Sequence, residues 1–170
     1  LLNWVEEGGG LMLAHPPEAN GIFQSVGGQL GIEQIGNHYV EVSGLHFPRE
    51  FMIGGQEKDY QITDPYESSL TVELSDDSLV YLESQDEYPT PLIWRKTLGE
   101  GTVVVDNLGF LEKGYRGFYS ASYALLQDVF AYPVINSSTF YIDDFPSPVP
   151  GGNSEYIGRD YHMSVSDFYT

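Results

Sequence analysis

Gly99-Glu100-Gly101-Thr102-Val103-Val104-Val105-Asp106 is the stretch that decides the fold. A Gly-x-Gly turn feeds three consecutive valines that end in an acid. A continuous β-branched run bounded by a turn is the pattern of a strand buried on both faces, as in a parallel sheet. Leu11-Met12-Leu13-Ala14 is a second such run, stopped sharply by His15-Pro16-Pro17-Glu18. Ahead of it, Leu1-Leu2-Asn3-Trp4-Val5-Glu6-Glu7 reads as a helix broken by Gly8-Gly9-Gly10. Behind it, Ile22 to Leu30 carries Phe23, Val26 and Leu30 at helical spacing. Phe118 to Tyr132 reads as a further helix, with Tyr119, Tyr123, Leu126 and Phe130 on one stripe and Pro133 as its stop.

Residues 37 to 98 change character. His38-Tyr39-Val40-Glu41-Val42 and Ser69-Leu70-Thr71-Val72-Glu73-Leu74 alternate apolar and polar, and Leu79 to Leu82 and Pro91 to Trp94 are further strand candidates. Gly54 to Tyr66 is polar and turn-rich and reads as a surface loop. Together these segments predict a β-rich insertion in a parallel α/β sheet. Strand, helix, strand over residues 102 to 144 fits a βαβ crossover or a boundary between two domains.

The chain has 170 residues, 25 acidic against 7 basic, for a formal charge of −18. No Lys/Arg cluster exists to neutralise phosphates, so nucleic acid is not an expected partner. Acidic, aromatic-rich chains suit neutral or cationic carbohydrate, although solubility alone also accounts for the charge. There is no cysteine, hence no disulfide, thiolate metal site or thiol nucleophile. No run of about 18 apolar residues occurs, so no membrane insertion is expected within this segment. The chain opens without Met on a mid-helix sequence and is expected to be an internal piece of a longer protein. Gly8-Gly9-Gly10 follows a helix and precedes a strand, the reverse of the nucleotide-binding order, and reads as a helix stop.

Phe140-Tyr141-Ile142-Asp143-Asp144-Phe145 is an apolar run closed by two acids, with a Pro-Gly stretch from Pro146 to Gly152 after it. Two adjacent carboxylates at the carboxyl edge of a strand suit a metal ligand beside a general base. A strand-end pair that caps a loop is the structural alternative. A glycosidase pair needs carboxylates roughly 5 to 10 Å apart across a cleft, which neighbours on one strand end do not readily provide.

Two resemblances bear on these segments. Trp4 to His15, with Ile22 to Gly31 after it, looks like the strand and helix around the nucleophile turn of class I glutamine-amidotransferase-like domains. Leu92 to Val105 resembles the late Gly-x-Gly strand of the same superfamily. The likeness covers roughly residues 1 to 132 without the insertion and implies a flavodoxin-like parallel sheet. True amidotransferases need a Cys at that turn, because a thiolate attacks the amide. His15 stands about where the turn falls, a possible pseudo-nucleophile position or a structural histidine. The resemblance therefore implies a domain without glutaminase chemistry.

Phe140 to Pro148 is similar to the first motif of polysaccharide deacetylases, over about nine residues. That likeness implies Asp143 as the catalytic general base and Asp144 as ligand to a divalent metal, zinc or similar, beside two histidines of a later His-x-x-x-His. Such a metal brings bound water to a pKa of about 7. Phe145 departs from the usual Gly, and no later His pair lies within these residues. The order of the two likenesses resembles an uncharacterised group of bacterial surface or secreted proteins. It implies an amidotransferase-like accessory domain over residues 1–137. Residues 138–170 would then start a (β/α) barrel-like deacetylase domain, acting outside the cytoplasm on polysaccharide, with no tight metal binding by this piece alone. A binding module without catalysis is the other reading.

Overall fold

The computed structural model describes residues 1–109, 115–130, 152–154 and 159–161. The chain packs as two units, Leu1–Ala131 and Tyr132–Thr170. In the first, the elements run α1 (Leu2–Glu6), β1 (Gly10–Leu13), α2 (Gly21–Val26), a 3-10 turn (Gly27–Leu30), β2 (Ile32–His46), β3 (Asp59–Leu74), β4 (Leu79–Ser84), β5 (Pro91–Leu98), β6 (Gly101–Asp106) and α3 (Arg116–Ala124). In the second, β7 (Gly152–Ser154) and β8 (Arg159–Tyr161) pair antiparallel.

The six strands of the first unit form one sheet in the order β1-β6-β5-β4-β2-β3. Leu11 pairs with Val103 and Leu13 with Val105, and this β1–β6 pair is parallel. Every other pairing in the sheet is antiparallel. The two deciding runs are thus parallel neighbours, but the sheet is mixed and mostly β, not a flavodoxin-like parallel sheet. The reason lies in the connections. Parallel neighbours need a crossover, and β1 and β6 are joined through everything between them. The strands from β2 to β6 follow one another without an intervening helix, so each can only turn back on a neighbour.

Residues 37 to 98 are accordingly no insertion. They supply β2, β3, β4 and β5, most of the sheet. The expected loop from Gly54 is a strand from Asp59 onward. Tyr60 pairs with Leu45 and Gln61 with Gly44. β2 and β3 make a long hairpin, exposed from Asp59 to Pro65 except at Ile62, and the polar side chains there hide the pairing from a hydrophobicity reading. Ile62 is buried, as are Ile32, Val42, Leu45 and Leu70 elsewhere in the hairpin.

Strand alternation sorts the core into two faces. Val103 and Val105 pack with Val5, Leu30, Ile32 and Trp94, under α1, α2 and the 3-10 turn. Val104 packs on the other face with Leu82, Leu92, Ile93, Leu108 and Phe118 of α3. With β1 and β5 on its flanks and helices above and below, β6 is closed on all sides, and every one of its residues is buried. That explains a run with no polar alternation, each valine contributing roughly 1.5 kcal/mol or more. Trp94 is fully buried and donates its Nε1–H to the Leu30 carbonyl at 2.8 Å.

Asn20 caps α2, its Oδ1 accepting from the amides of Ile22 and Phe23 at 3.0 and 3.1 Å. α3 is shorter than the periodicity of residues 118 to 132 predicts, ending at Ala124. Its exit tightens: the amides of Leu126 and Gln127 donate to carbonyls three residues back. Asp128 beyond it binds the Arg95 guanidinium of β5, a tertiary contact that periodicity cannot show. The expected strand Phe140–Ile142, and with it the start of a barrel-like domain, lies outside the described residues.

Candidate functional site

The carboxyl ends of β1 and β6 lie side by side, the edge where ligands approach parallel strands. From β1, the chain continues into Ala14 and His15. His15 is exposed, and its Nδ1 lies 2.9 Å from the carbonyl of Pro16. Among the described residues, no base or nucleophile is hydrogen-bonded to it. Asp143 and Asp144 fall outside the described residues, so the structure does not bring them together with His15.

At the end of β6 stand residues that sequence reasoning missed. Asp106 shares a face with Val104 and points toward α3. It is fully buried, and among the described residues neither carboxylate oxygen has a hydrogen-bond partner. Ser122 of α3, also fully buried, faces it. Its hydroxyl is near enough to draw the carboxyl pKa down somewhat, yet outside hydrogen-bond geometry, so both groups lack a partner among the described residues. Burial dominates and pushes the Asp106 pKa up to about 7.

Tyrosines complete the cluster. Burial, and after it the Asp106 charge, raises the Tyr119 phenol pKa. Tyr66 of β3 is raised further by burial, against the Ser69 hydroxyl 3.2 Å away, with Tyr115 and Tyr119 adding to the rise. The one sequence signal was an acid ending a run of three valines. Its depth depends on α3, which sequence alone does not place.

The next residue, Asn107, is buried and works structurally. Its Oδ1 accepts from the Leu70 amide at 2.9 Å, while its Nδ2 donates to the carbonyls of Leu70 at 2.8 Å and Pro91 at 2.9 Å. It thereby ties β3 to the end of β6. A separate polar group sits where β2 pairs with both β3 and β4. His46 Nδ1 lies 2.7 Å from Asp59 and its Nε2 4.0 Å from Glu83. Burial raises the Glu83 pKa, His46 opposes that, and Glu57 adds to it. Among the described residues, no group of His, Asp or Glu is arranged to hold a metal ion. No described helix is long and apolar enough to cross a membrane.

A bacterial family model described as "Uncharacterised protein conserved in bacteria (DUF2194)" matches residues 70–170. The chain belongs to this family. The match begins within β3, takes in β4, β5, β6 and α3, and runs on through Asp143 and Asp144. No curated protein matches the chain.

Among solved structures, Cytoplasmic Protein STM1381 from Salmonella typhimurium LT2 is similar with a TM-score of 0.50 at 17% identity, over 70% of this chain and 52% of that one. The chain thus spans about half the length of that relative, and the likeness is one of fold. A beta-galactosidase from Bacillus circulans sp. alkalophilus matches at a TM-score of 0.39 and 16% identity, over 62% of this chain and 17% of that one. A likeness that slight carries no argument about function.

Proposed function

We propose that the parent protein is a metal-dependent carbohydrate esterase that removes acetyl groups from cell-envelope polysaccharide outside the cytoplasm. Residues 1–137 would be its non-catalytic accessory domain and residues 138–170 the start of its catalytic domain. The observation that carries this reading is the reach of the family model. One model spans residues 70–170, covering the end of β3, β4, β5, β6 and α3 together with the Asp143-Asp144 pair. The sequence around that pair resembles the deacetylase motif, and the acidic, aromatic composition suits carbohydrate.

In this reading Asp143 holds and returns a proton as general base, and Asp144 ligates the metal. The metal, when bound, would supply an activated water and polarise the acetamide carbonyl. Catalytic zinc takes three protein ligands. Asp144 is one, and the described residues offer no group that could hold the ion. The remaining ligands would come from other residues of the parent, and residues 1–170 alone are expected to bind metal weakly or not at all.

The rival reading is a binding module without catalysis. It is favoured by the absence of any thiol and by the setting of His15, whose Nδ1 lies against the Pro16 carbonyl. One experiment separates the two. In the full-length parent, Asp144→Ala should abolish metal retention, while Asp143→Asn should keep the metal and remove deacetylase turnover. Wild-type turnover in either variant would reject the role assigned to that residue. A parent that holds no metal would favour the binding module.

A further inference from the structure

Asp106 is closed off between β6 and α3, with no partner for either oxygen among the described residues. The groups that face it are Ser122 and Tyr119 of α3, with Tyr66 of β3 and Tyr115 behind Tyr119. Arg95 lies on the same face of β5, but its guanidinium is engaged by Thr102 Oγ1 and Asp128. Among the described residues, no cation pairs with Asp106. A buried carboxylate without hydrogen bonds or counter-charge is strongly disfavoured, whereas the neutral acid carries no net charge to desolvate. Full enclosure also keeps out any solute while α3 is seated. The species that can bind here is a proton.

We propose that Asp106 is a proton-operated latch on α3: as the neutral acid it lets the helix seat on β6, and loss of its proton loosens the helix. The burial that lifts its pKa to about 7 supports this, and the Ser122 hydroxyl trims the rise. The sign follows from the two states. A solvated Asp ionises near pH 3.9. Between about pH 4 and about pH 7 the opened state has given up the proton that the seated state keeps. The opening equilibrium of α3 therefore rises up to tenfold per pH unit across that window and levels off above about pH 7.

Hydrogen exchange of the Arg116–Ala124 amides, corrected for intrinsic rates, tests the proposal from about pH 4 to about pH 9. In wild type, protection should fall across the window. In Asp106→Asn, which keeps the shape but cannot ionise, that fall should vanish. Ser122→Ala should move the plateau to higher pH, since the hydroxyl holds the pKa down. Should Asp106→Asn not fold, infrared spectra of the wild type provide the readout: a protonated-carboxyl band lost with a midpoint near pH 7. Identical pH profiles in wild type and Asp106→Asn, or no protonated band at about pH 5.5, would overturn the proposal.

Discussion

One amide side chain adds to the β2–β4 pairing in holding the β2–β3 arm to the rest of the sheet. In the sheet order β3 borders only β2, so its residues near Leu70 have a free side. Asn107 fills that side, presenting an acceptor and a donor to Leu70 as a neighbouring strand would. Gly109 follows, where a Cβ would collide with Ser68 of β3, so the chain after β6 passes hard against the arm. Replacing Asn107 by Ala leaves the buried Leu70 amide without its partner and frees the Pro91 carbonyl. The expected cost is about 3 kcal/mol, counting lost bonds and an orphaned donor. Urea unfolding reads it directly, and a loss under about 1 kcal/mol would mean that water or a neighbour replaces the amide. Nothing in the sequence marks Asn107 for this task. It looks like any polar residue at a strand's end, and the bonds it makes reach back to residues 70 and 91.

At the scale of elements, the Gly99-Glu100-Gly101 turn shows what local sequence can and cannot say. The spacing of glycines before a valine run was legible as a turn feeding a strand. The reason for the second glycine was not. Gly99 has φ +62°, a left-handed conformation that glycine adopts without strain. Gly101 is required by crowding, since a Cβ there would run into the carbonyl oxygens of Val5 and Gly9. The turn docks under the end of α1, with the Glu100 amide donating to the Glu6 carbonyl at 2.9 Å and the Thr102 amide to Gly9 at 3.1 Å. Gly101→Ala should therefore destabilise by about 3 kcal/mol or more, because the obstructing atoms are backbone and cannot rotate away. Gly28→Ala is the control: its Cβ would meet open space, and a neutral effect or a gain of about 0.5 kcal/mol is expected. Melting temperatures of the two variants should diverge, and equal values would show that α1 shifts freely.

For the whole molecule, the arrangement bears on what chemistry is available. His15 lies two residues past the end of β1, yet the chain has no thiol, and among the described residues no base is arranged to arm His15 as a nucleophile. Purified protein should hydrolyse glutamine no faster than buffer. Hydrolysis above that blank and abolished by His15→Ala would refute the reading.

The sequence by itself determined the local features whose causes are local: the helix stop at Gly8, the apolar strand runs of β1 and β6, the two alternating strands, and the absence of thiol chemistry; that β6 is buried throughout while the edge strand β1 is only partly covered was set by the sheet order. The sequence also offered Asp143 and Asp144 as an acid pair at a strand end. Tertiary structure decided which strands are neighbours and in which direction. β1 meets β6 across some ninety residues of chain, and the strands between them turn back on one another, making a mixed sheet where a parallel one was expected. It also decided where α3 stops and that Asp106 lies under it. Periodicity records which side of an element is apolar. Pairing direction, helix docking and the burial of one carboxyl depend on what another segment covers, and that information resides in distant residues together.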